Sequence, residues 1–393
     1  MHQQFSRRGW FGLVASTLAT RSVSASDVGP SVSSRIRRFL MKVQNQDGSW
    51  RSQHYGVLKS GQAMTPFVLH TLLRSTQDQP GVLAKVRQPA ERAVSWMESR
   101  LRQGCLGVAD TDVLEYPVYA TSWALRCVQL CLDTSIIEES TAVPMIAAMR
   151  GFLIEQQFDE SNGFTPTDLP YGGWGFGGSH PAGVAGHMDL AHSRYALQAL
   201  AETGGVPLDV GQKSLTLLRL LQKHPSETRE QPLGQGLVST TAEFDGGFYF
   251  SPVVLGANKG RMEETKQGPQ FRSYATATCE GVLALQAAGL PTDDPRVQAA
   301  KRWFLEHPSW NYPEGIPKQY PEPWGDAVTF YHQSVRAEAY RVLQIDDGWE
   351  QALRERIALH LRRDGSVVNQ RSGLMKEDDP LLASTLALIA LNA

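Results

Sequence analysis

Residues Ser33 to Trp50 read SSRIRRFLMKVQNQDGSW, and the order of their parts decides the fold. The first twelve residues form a helical stretch with Arg35, Arg38 and Lys42 on one face, and it runs into the turn NQDGSW. Behind the turn, AMTPFVLHTLLRS (residues 63–75) is a second helix. The same sequence of helix, Gly-and-aromatic corner and helix recurs along the chain. It pairs residues 91–103 with 115–132, 143–157 with 188–204, 211–224 with 272–289, 295–307 with 326–343, and 349–367 with 378–391. These pairs make six helical hairpins, and no strand pattern of comparable strength competes with them.

The two helices of a pair differ in kind. First helices carry long charged side chains, whereas second helices are crowded with small residues, as in YATATCEGVLAL and LLASTLALIAL. Small residues let helix backbones approach closely, so the second helices are expected inside and the first helices outside. Six hairpins closing in this way give an all-α fold, an alpha/alpha toroid; an open solenoid is the alternative. The outer-to-inner connections are long in two units, residues 158–187 and 225–270, and contain aromatics. Long loops in compact domains usually serve function, so the mouth of the toroid at the inner-helix N-termini is the candidate site.

Composition narrows the choice of partners. The chain has 393 residues, 41% hydrophobic and 20% charged, with a formal net charge of -2, which excludes a disordered chain and gives no basic signal for nucleic acid. No internal apolar run reaches the roughly 18 residues of a membrane span. The four cysteines, with Cys127 and Cys131 one helical turn apart and Cys105 and Cys279 isolated, suit small core positions better than a disulfide framework or a metal knuckle. The N-terminus stands apart: Arg7-Arg8, an apolar stretch from Trp10 to Leu18, and Val23-Ser24-Ala25 resemble a twin-arginine export signal. Residues 1–26 are therefore expected to be that signal, directing the protein to the periplasm or cell envelope, and residues 27–393 one toroid domain. Without Arg7, Arg8 and Arg21 the formal charge becomes -5.

Within the opening stretch, LMKVQNQDGSW, with Gln44, Gly48 and Trp50, resembles the glutamine-tryptophan repeat of squalene-hopene cyclases and the related prenyltransferase and squalene oxidase repeats. Shorter copies stand at QQFDESNGF, FDGGF and RRDGSV, the last without the glutamine that clamps a neighbouring helix in this family. The resemblance implies a terpenoid cyclase or protein prenyltransferase-like toroid, and an isoprenoid or other hydrophobic small molecule as ligand. Cyclases of this family protonate an alkene with an acid in a D-x-D-D motif. In LMKEDDPLLAST, Asp378 and Asp379 match its later positions while Lys376 stands where the first aspartate would be; VADTDVLEYP offers Asp110 and Asp112, then Val113. Prenyltransferases bind zinc through Asp, Cys and His, and TFYHQSV places His332 at their histidine, but Cys279 lies at least a turn too deep and has no accompanying Asp. No metal or cofactor is expected on this basis.

The candidate catalytic residues are thus Asp378, Asp379, Asp112 and His332, with Asp378 first among the acids. An Asp at a helix N-terminus also serves as a cap worth about 0.5–2 kcal/mol without any chemistry, a reading that applies equally to Asp378, Asp379 and Asp189. HPAGVAGHMDLAH sets Asp189 and His192 three apart, with His187 and His180 nearby, compatible with a metal or with a cap plus two surface histidines. Candidate ligand-binding residues at the mouth are Trp174, Phe176, Asp189, Tyr274, Trp324, Phe330 and Tyr331. Their rings would stabilise carbocations or stack on sugars; in the alternative they fill corners. The segment PYGGWGFGGSH (residues 170–180) follows a helix and lacks the Lys-Ser/Thr of a phosphate loop, so it reads as a rim element aiming Trp174 and Phe176 at the mouth. Three functions remain open. A terpenoid-cyclase-like enzyme or binder requires a deep apolar pore; a glycan-active toroid requires two facing carboxylates, Asp112 with Glu115 being one candidate pair; an interaction scaffold requires a plugged pore.

Overall fold

A computed structural model describes residues 31–393 except 77–78, 109–114, 180, 230, 234–236, 240–243 and 266–267. The proposed export signal, Asp110, Asp112 and His180 lie outside the described residues. In chain order the helices are α1 (Val32–Lys42), α2 (Met64–Arg74), α3 (Pro80–Arg100), α4 (Pro117–Asp133), α5 (Glu139–Glu155), α6 (Leu190–Glu202) and α7 (Leu208–Leu221). They continue as α8 (Ala275–Ala287), α9 (Pro295–Glu306), the short α10 (Trp324–Ala327), α11 (Thr329–Val342), α12 (Trp349–Ala358) and α13 (Pro380–Asn392). Two antiparallel hairpins, β1 (Gln231–Leu233) with β2 (Leu237–Ser239) and β3 (Met262–Thr265) with β4 (Gly268–Phe271), occupy the long α7–α8 connection; the sequence reading contained no strand there.

The small-residue helices are the inner ones, as expected. Helix α2 packs on α4, α4 on α6, α6 on α8, α8 on α11, α11 on α13, and α13 back on α2, so the ring closes. In α8 every residue from Ala275 to Leu285 is buried, which only Ala, Gly, Thr and Cys beside larger neighbours allow at such close approach. The outer helices alternate buried apolar and exposed charged positions and cover the seams: α3 lies against α2 and α4, α5 against α4 and α6, α7 against α6 and α8, and α1 against α13, α2 and α12. The chain is an alpha/alpha toroid. All four cysteines are buried and free.

The corners show how the units are joined. Gly48, Gly104, Gly172, Gly246 and Gly365 all have positive φ, between 76° and 92°, and each lies against the backbone of the next outer helix, at Arg92, Ala148, Lys213, Ala299 and Arg35. A Cβ at any of them would overlap that helix. Two residues further on, the chain turns inward, and a backbone N-H is taken by a hydroxyl of the following inner helix. Trp50 donates to Thr65, Leu106 to Thr121, Trp174 to Ser193, Phe248 to Thr278 and Val367 to Ser384, at 2.9 to 3.1 Å. Thr and Ser therefore recur in inner helices because a hydroxyl is the smallest group that accepts this bond.

Glutamine completes three of the joints. Gln44, Gln157 and Gln222 each donate from Nε2 to the backbone of the next outer helix, at Pro89, Val210 and Arg296. At the closing joint, where glutamine is absent, the contact is reversed: Arg35 of α1 donates to the carbonyl of Arg362 at 2.7 Å. The α9–α12 joint uses neither device. There Trp310 stacks on Trp349, ring centroids 5.4 Å apart and 10° from parallel, and Arg356 hydrogen-bonds Asn311.

These contacts make corner glycines unequal to other glycines. Gly205 also has positive φ but has no atom within 4 Å of a built Cβ, so Gly205→Ala should cost only the left-handed backbone term, about 1 kcal/mol. Gly172→Ala adds overlap with α7 and should cost roughly 3 kcal/mol or more. Thermal melts of both variants check this; equal losses would show that the corner does not bear on the neighbouring helix.

Candidate functional site

The mouth is organised by the N-terminus of α6. Asp189 is its N-cap, with extended backbone and Oδ1 accepting the backbone N-H of His192 at 2.9 Å. The side chain of His192 folds back so that Nδ1 lies 2.9 Å from both carboxylate oxygens, and His187 Nε2 stands 3.4 Å from Oδ2. Only a protonated Nδ1 suits that contact, which leaves Nε2 of a neutral His192 as a proton acceptor. Nε2 is buried and has no hydrogen-bond partner. Around it stand the rings of Phe176 at 5.1 Å, Tyr116 at 6.3 Å and Tyr119 at 6.4 Å from the imidazole. Burial alone would raise the Asp189 pKa, but the His192 charge and hydrogen bonds from both histidines hold it well below the usual carboxylate range.

The glycine-rich segment builds this pair. Gly175 bridges to Met188, Phe176 N-H donates to the His187 carbonyl at 3.1 Å, and Asp189 N-H to that of Trp174 at 3.3 Å. A side chain at Gly175 would strike the His187 carbonyl, so the segment must be glycine where it lies along the residues leading into α6. Phe176 stacks on His187 with centroids 4.1 Å apart. Its carbonyl accepts from Val118 and thereby ties the start of α4 to the same segment. The next corner contributes half-buried Lys259, whose ammonium sits between the rings of Phe250 (5.2 Å) and Trp324 (5.4 Å). Burial lowers its pKa, and Asp189 pulls it back up.

Beneath the mouth the ring interior is ionic and aromatic. Arg194 of α6 is buried between two acids, Glu338 of α11, which its Nη2 contacts directly, and Glu280 of α8, 3.4 Å from Nε. Its guanidinium also lies 4.5 Å from the Tyr195 ring. Tyr331 donates its hydroxyl to Glu280, and Tyr119, Trp123 and Tyr195 pack together beside the cluster. Desolvation pushes the Glu280 pKa up to about 7, against the pull of Arg194 and the Tyr331 hydrogen bond. The deep apolar pore that the cyclase reading required is replaced, on this stretch of the axis, by these charges.

The other expected site residues fall in three places. Phe176, Asp189, Trp324 and Tyr331 line the mouth or the axis, as described. Trp174 does not reach the mouth: it is fully buried, and its indole N-H donates to the Leu153 carbonyl at 2.7 Å, as Trp50 does to Leu40. Phe330 is also core, edge-on to His360, and Tyr274 is a buried residue preceding α8. His332 donates Nε2-H to the Ser309 carbonyl and is held neutral, its pKa down to about 3 by burial and Arg336, and its buried Nδ1 has no hydrogen-bond partner. Asp379 caps α13 through Leu381 and Leu382 and accepts from Ser52. Asp378 is exposed and accepts from the Tyr55 hydroxyl at 2.6 Å, which raises that tyrosine's pKa to about 12. Their neighbour Glu377 is buried, receives the backbone N-H groups of Phe330 and Tyr331 at the start of α11, and has its pKa pushed up to about 7 by burial. Arg194, Glu280, Glu338 and Lys259 were not among the expected residues. For Glu280 the available signal was a lone acid within a small-residue helix, ATATCEGVLAL.

No protein-family model and no curated protein matches the chain. Among solved structures it is similar to a type II terpene cyclase, MstE from Scytonema, in a ligand-free variant (14% identity, TM-score 0.52, 92% of this chain and 96% of the other). A second variant, in complex with the substrate geranylgeranyl dihydroxybenzoate, matches at 13% identity and TM-score 0.51 over the same shares of both chains. An inactive variant of alpha-1,6-mannanase GH76A from Salegentibacter sp. HEL1_6, in complex with alpha-1,6-mannotriose, matches at 9% identity and TM-score 0.51, covering 92% of this chain and 98% of the other. These likenesses identify the class: the chain shares the alpha/alpha toroid with terpene cyclases and with a glycoside hydrolase.

The raised pKa of Glu280 has a definite sign for stability. A carboxyl with a folded pKa above its unfolded value contributes stability in full below about pH 4.5, which is lost as the pH rises through 7. Glu280→Gln, which cannot ionise, should therefore show a flatter melting temperature between pH 5 and 8 than the parent. Parallel profiles for the two proteins would contradict a buried, high-pKa Glu280.

Proposed function

We propose that this is an exported, terpenoid-cyclase-like toroid protein that takes an isoprenoid or other hydrophobic small molecule at the mouth of the ring, where His192, oriented by Asp189, transfers a proton to or from it. The observation that carries this reading is the His192 imidazole, fixed by a buried carboxylate through Nδ1 and left with an unpartnered Nε2 among Phe176, Tyr116 and Tyr119. A base needs this arrangement: the carboxylate orients the ring and stabilises the imidazolium, while the free nitrogen exchanges the proton. Asp189 stays ionised in this role, because its pKa is held far below neutrality. Aromatic walls favour an apolar substrate and stabilise positive charge developing beside them. Arg7-Arg8 and the apolar stretch after them support export.

A glycan-active reading needs two facing carboxylates; among the described residues Asp189 is committed to two histidines, while Asp112, the partner named for Glu115, lies outside them. The test is to purify the native protein from fractionated cells and identify co-purifying molecules by mass spectrometry. An isoprenoid or related lipid should be recovered from the envelope or periplasmic fraction, and His192→Gln should abolish its turnover while leaving its binding within about threefold. A cytoplasmic protein would overturn export; a lipid-free protein that binds mannan oligosaccharides would overturn the ligand class.

A further inference from the structure

Between the outer helices α7 and α9 lies a surface pocket of about 490 Å³ whose wall holds three arginines. Arg219 comes from the last turn of α7, Arg229 from the connection that follows, and Arg296 from the first turn of α9. One carboxylate stands on the same wall, Glu227, and it is taken by Arg229, whose Nε and Nη2 both donate to it at 2.8 Å. Arg296 is 9% exposed; its Nη2 donates to Ser226 Oγ at 2.8 Å and its Nη1 to Gln222 Oε1 at 3.4 Å, both neutral acceptors. Arg219 is exposed, and its guanidinium makes no hydrogen bond or ion pair among the described residues.

Taking a guanidinium out of water without a counter-charge is costly, so folded proteins normally set a buried arginine against a carboxylate. At Arg296 the neighbours include charges of its own sign. Burial lowers its pKa and the Arg219 charge lowers it further, while Glu227 and Asp294 pull it back up. Asp294 is itself occupied as the cap of α9, accepting the backbone N-H of Arg296 at 2.8 Å. With Arg229 neutralised by Glu227, the wall keeps two uncompensated positive charges, on Arg219 and Arg296. Apart from Pro166 every residue on the wall is polar or charged, Thr216 and Ser226 included, which suits a hydroxylated molecule and gives an acyl chain nothing to rest on.

We propose that this pocket is a second binding site, sharing no residue with the mouth, for a small hydroxylated phosphate monoester. A dianion matches the two uncompensated charges, and the planar guanidinium presents paired N-H groups to phosphate oxygens in a way that a single carboxylate only half uses. Arg219 and Arg296 hold the phosphate, and the rest of the pocket, beside Thr216 and Ser226, takes the alcohol portion.

The site is tested by calorimetric titration of the full chain with glycerol 3-phosphate, inorganic phosphate, glycerate and glycerol. Replacing Arg229 would strand the buried Glu227, so the variants are Arg219→Ala, which leaves no partner behind, and Arg296→Gln, which removes the charge and keeps an amide for Ser226; thermal melts confirm that each folds. Arg363→Ala, exposed in the closing corner, controls for general charge. Saturable binding of glycerol 3-phosphate is expected, at least tenfold weaker for glycerate and in Arg219→Ala and Arg296→Gln, absent for glycerol and unchanged in Arg363→Ala. Absence of saturation, equal binding of glycerate, binding unchanged by Arg219→Ala and Arg296→Gln, or an equal loss in Arg363→Ala overturns the proposal, and saturation by inorganic phosphate alone overturns the ester.

Discussion

The contact between a corner glycine and the backbone of the next outer helix sets the spacing of this ring. At five of the six joints the chain leaves an outer helix, takes a left-handed turn at glycine, and rests its backbone on the neighbouring outer helix with no side chain between. Adding even one carbon there would move two helices apart, and in a closed ring that displacement cannot be absorbed at a free end. The inward hydrogen bond two residues later then fixes the height of each inner helix, because one hydroxyl on that helix must meet one particular N-H. Stability here comes from repeating one local solution, with a stacked tryptophan pair substituting at the joint that lacks the glycine.

The same constraint makes the mouth. Because Trp174 is held in its corner by Leu153 and Ser193, the following residues are delivered along the start of α6, and glycine at position 175 lets them lie flat against the His187 backbone. Phe176 and His187 then stack, Asp189 caps α6, and His192 is caught between the cap and the aromatic wall. The rigid corner thus positions Asp189 and His192 at the mouth. The buried Arg194 cluster, with Glu280 and Glu338, lies just below on the axis of the ring.

Much of the fold was legible in the sequence, because the burial of a helix on all sides demands small residues and the exposure of its partner permits charge. Which atom each glycine would touch was not legible, since Arg92 or Lys213 comes from the next unit, dozens of residues away. Trp174 was misplaced for a related reason: a tryptophan among glycines fits a rim or a corner equally well, and the carbonyl that settles its direction belongs to the preceding outer helix. Asp189 was readable as a cap from its place before LAHSRYAL, whereas the inward fold of His192 depends on the ring around it. Glu280 escaped notice because one acid in a helix of Ala, Thr and Cys has no meaning until Arg194 and Tyr331 arrive from other units.

The central claim, that six units close into one ring, is tested most directly by native-state hydrogen exchange. In a closed ring there is no terminal unit, so the slowest amides of α2 and α13 should open with the same free energy as those of α6 and α8. Selective fraying of α1, α2 or α13, with α6 and α8 still protected, would be the signature of an open array and would contradict the account.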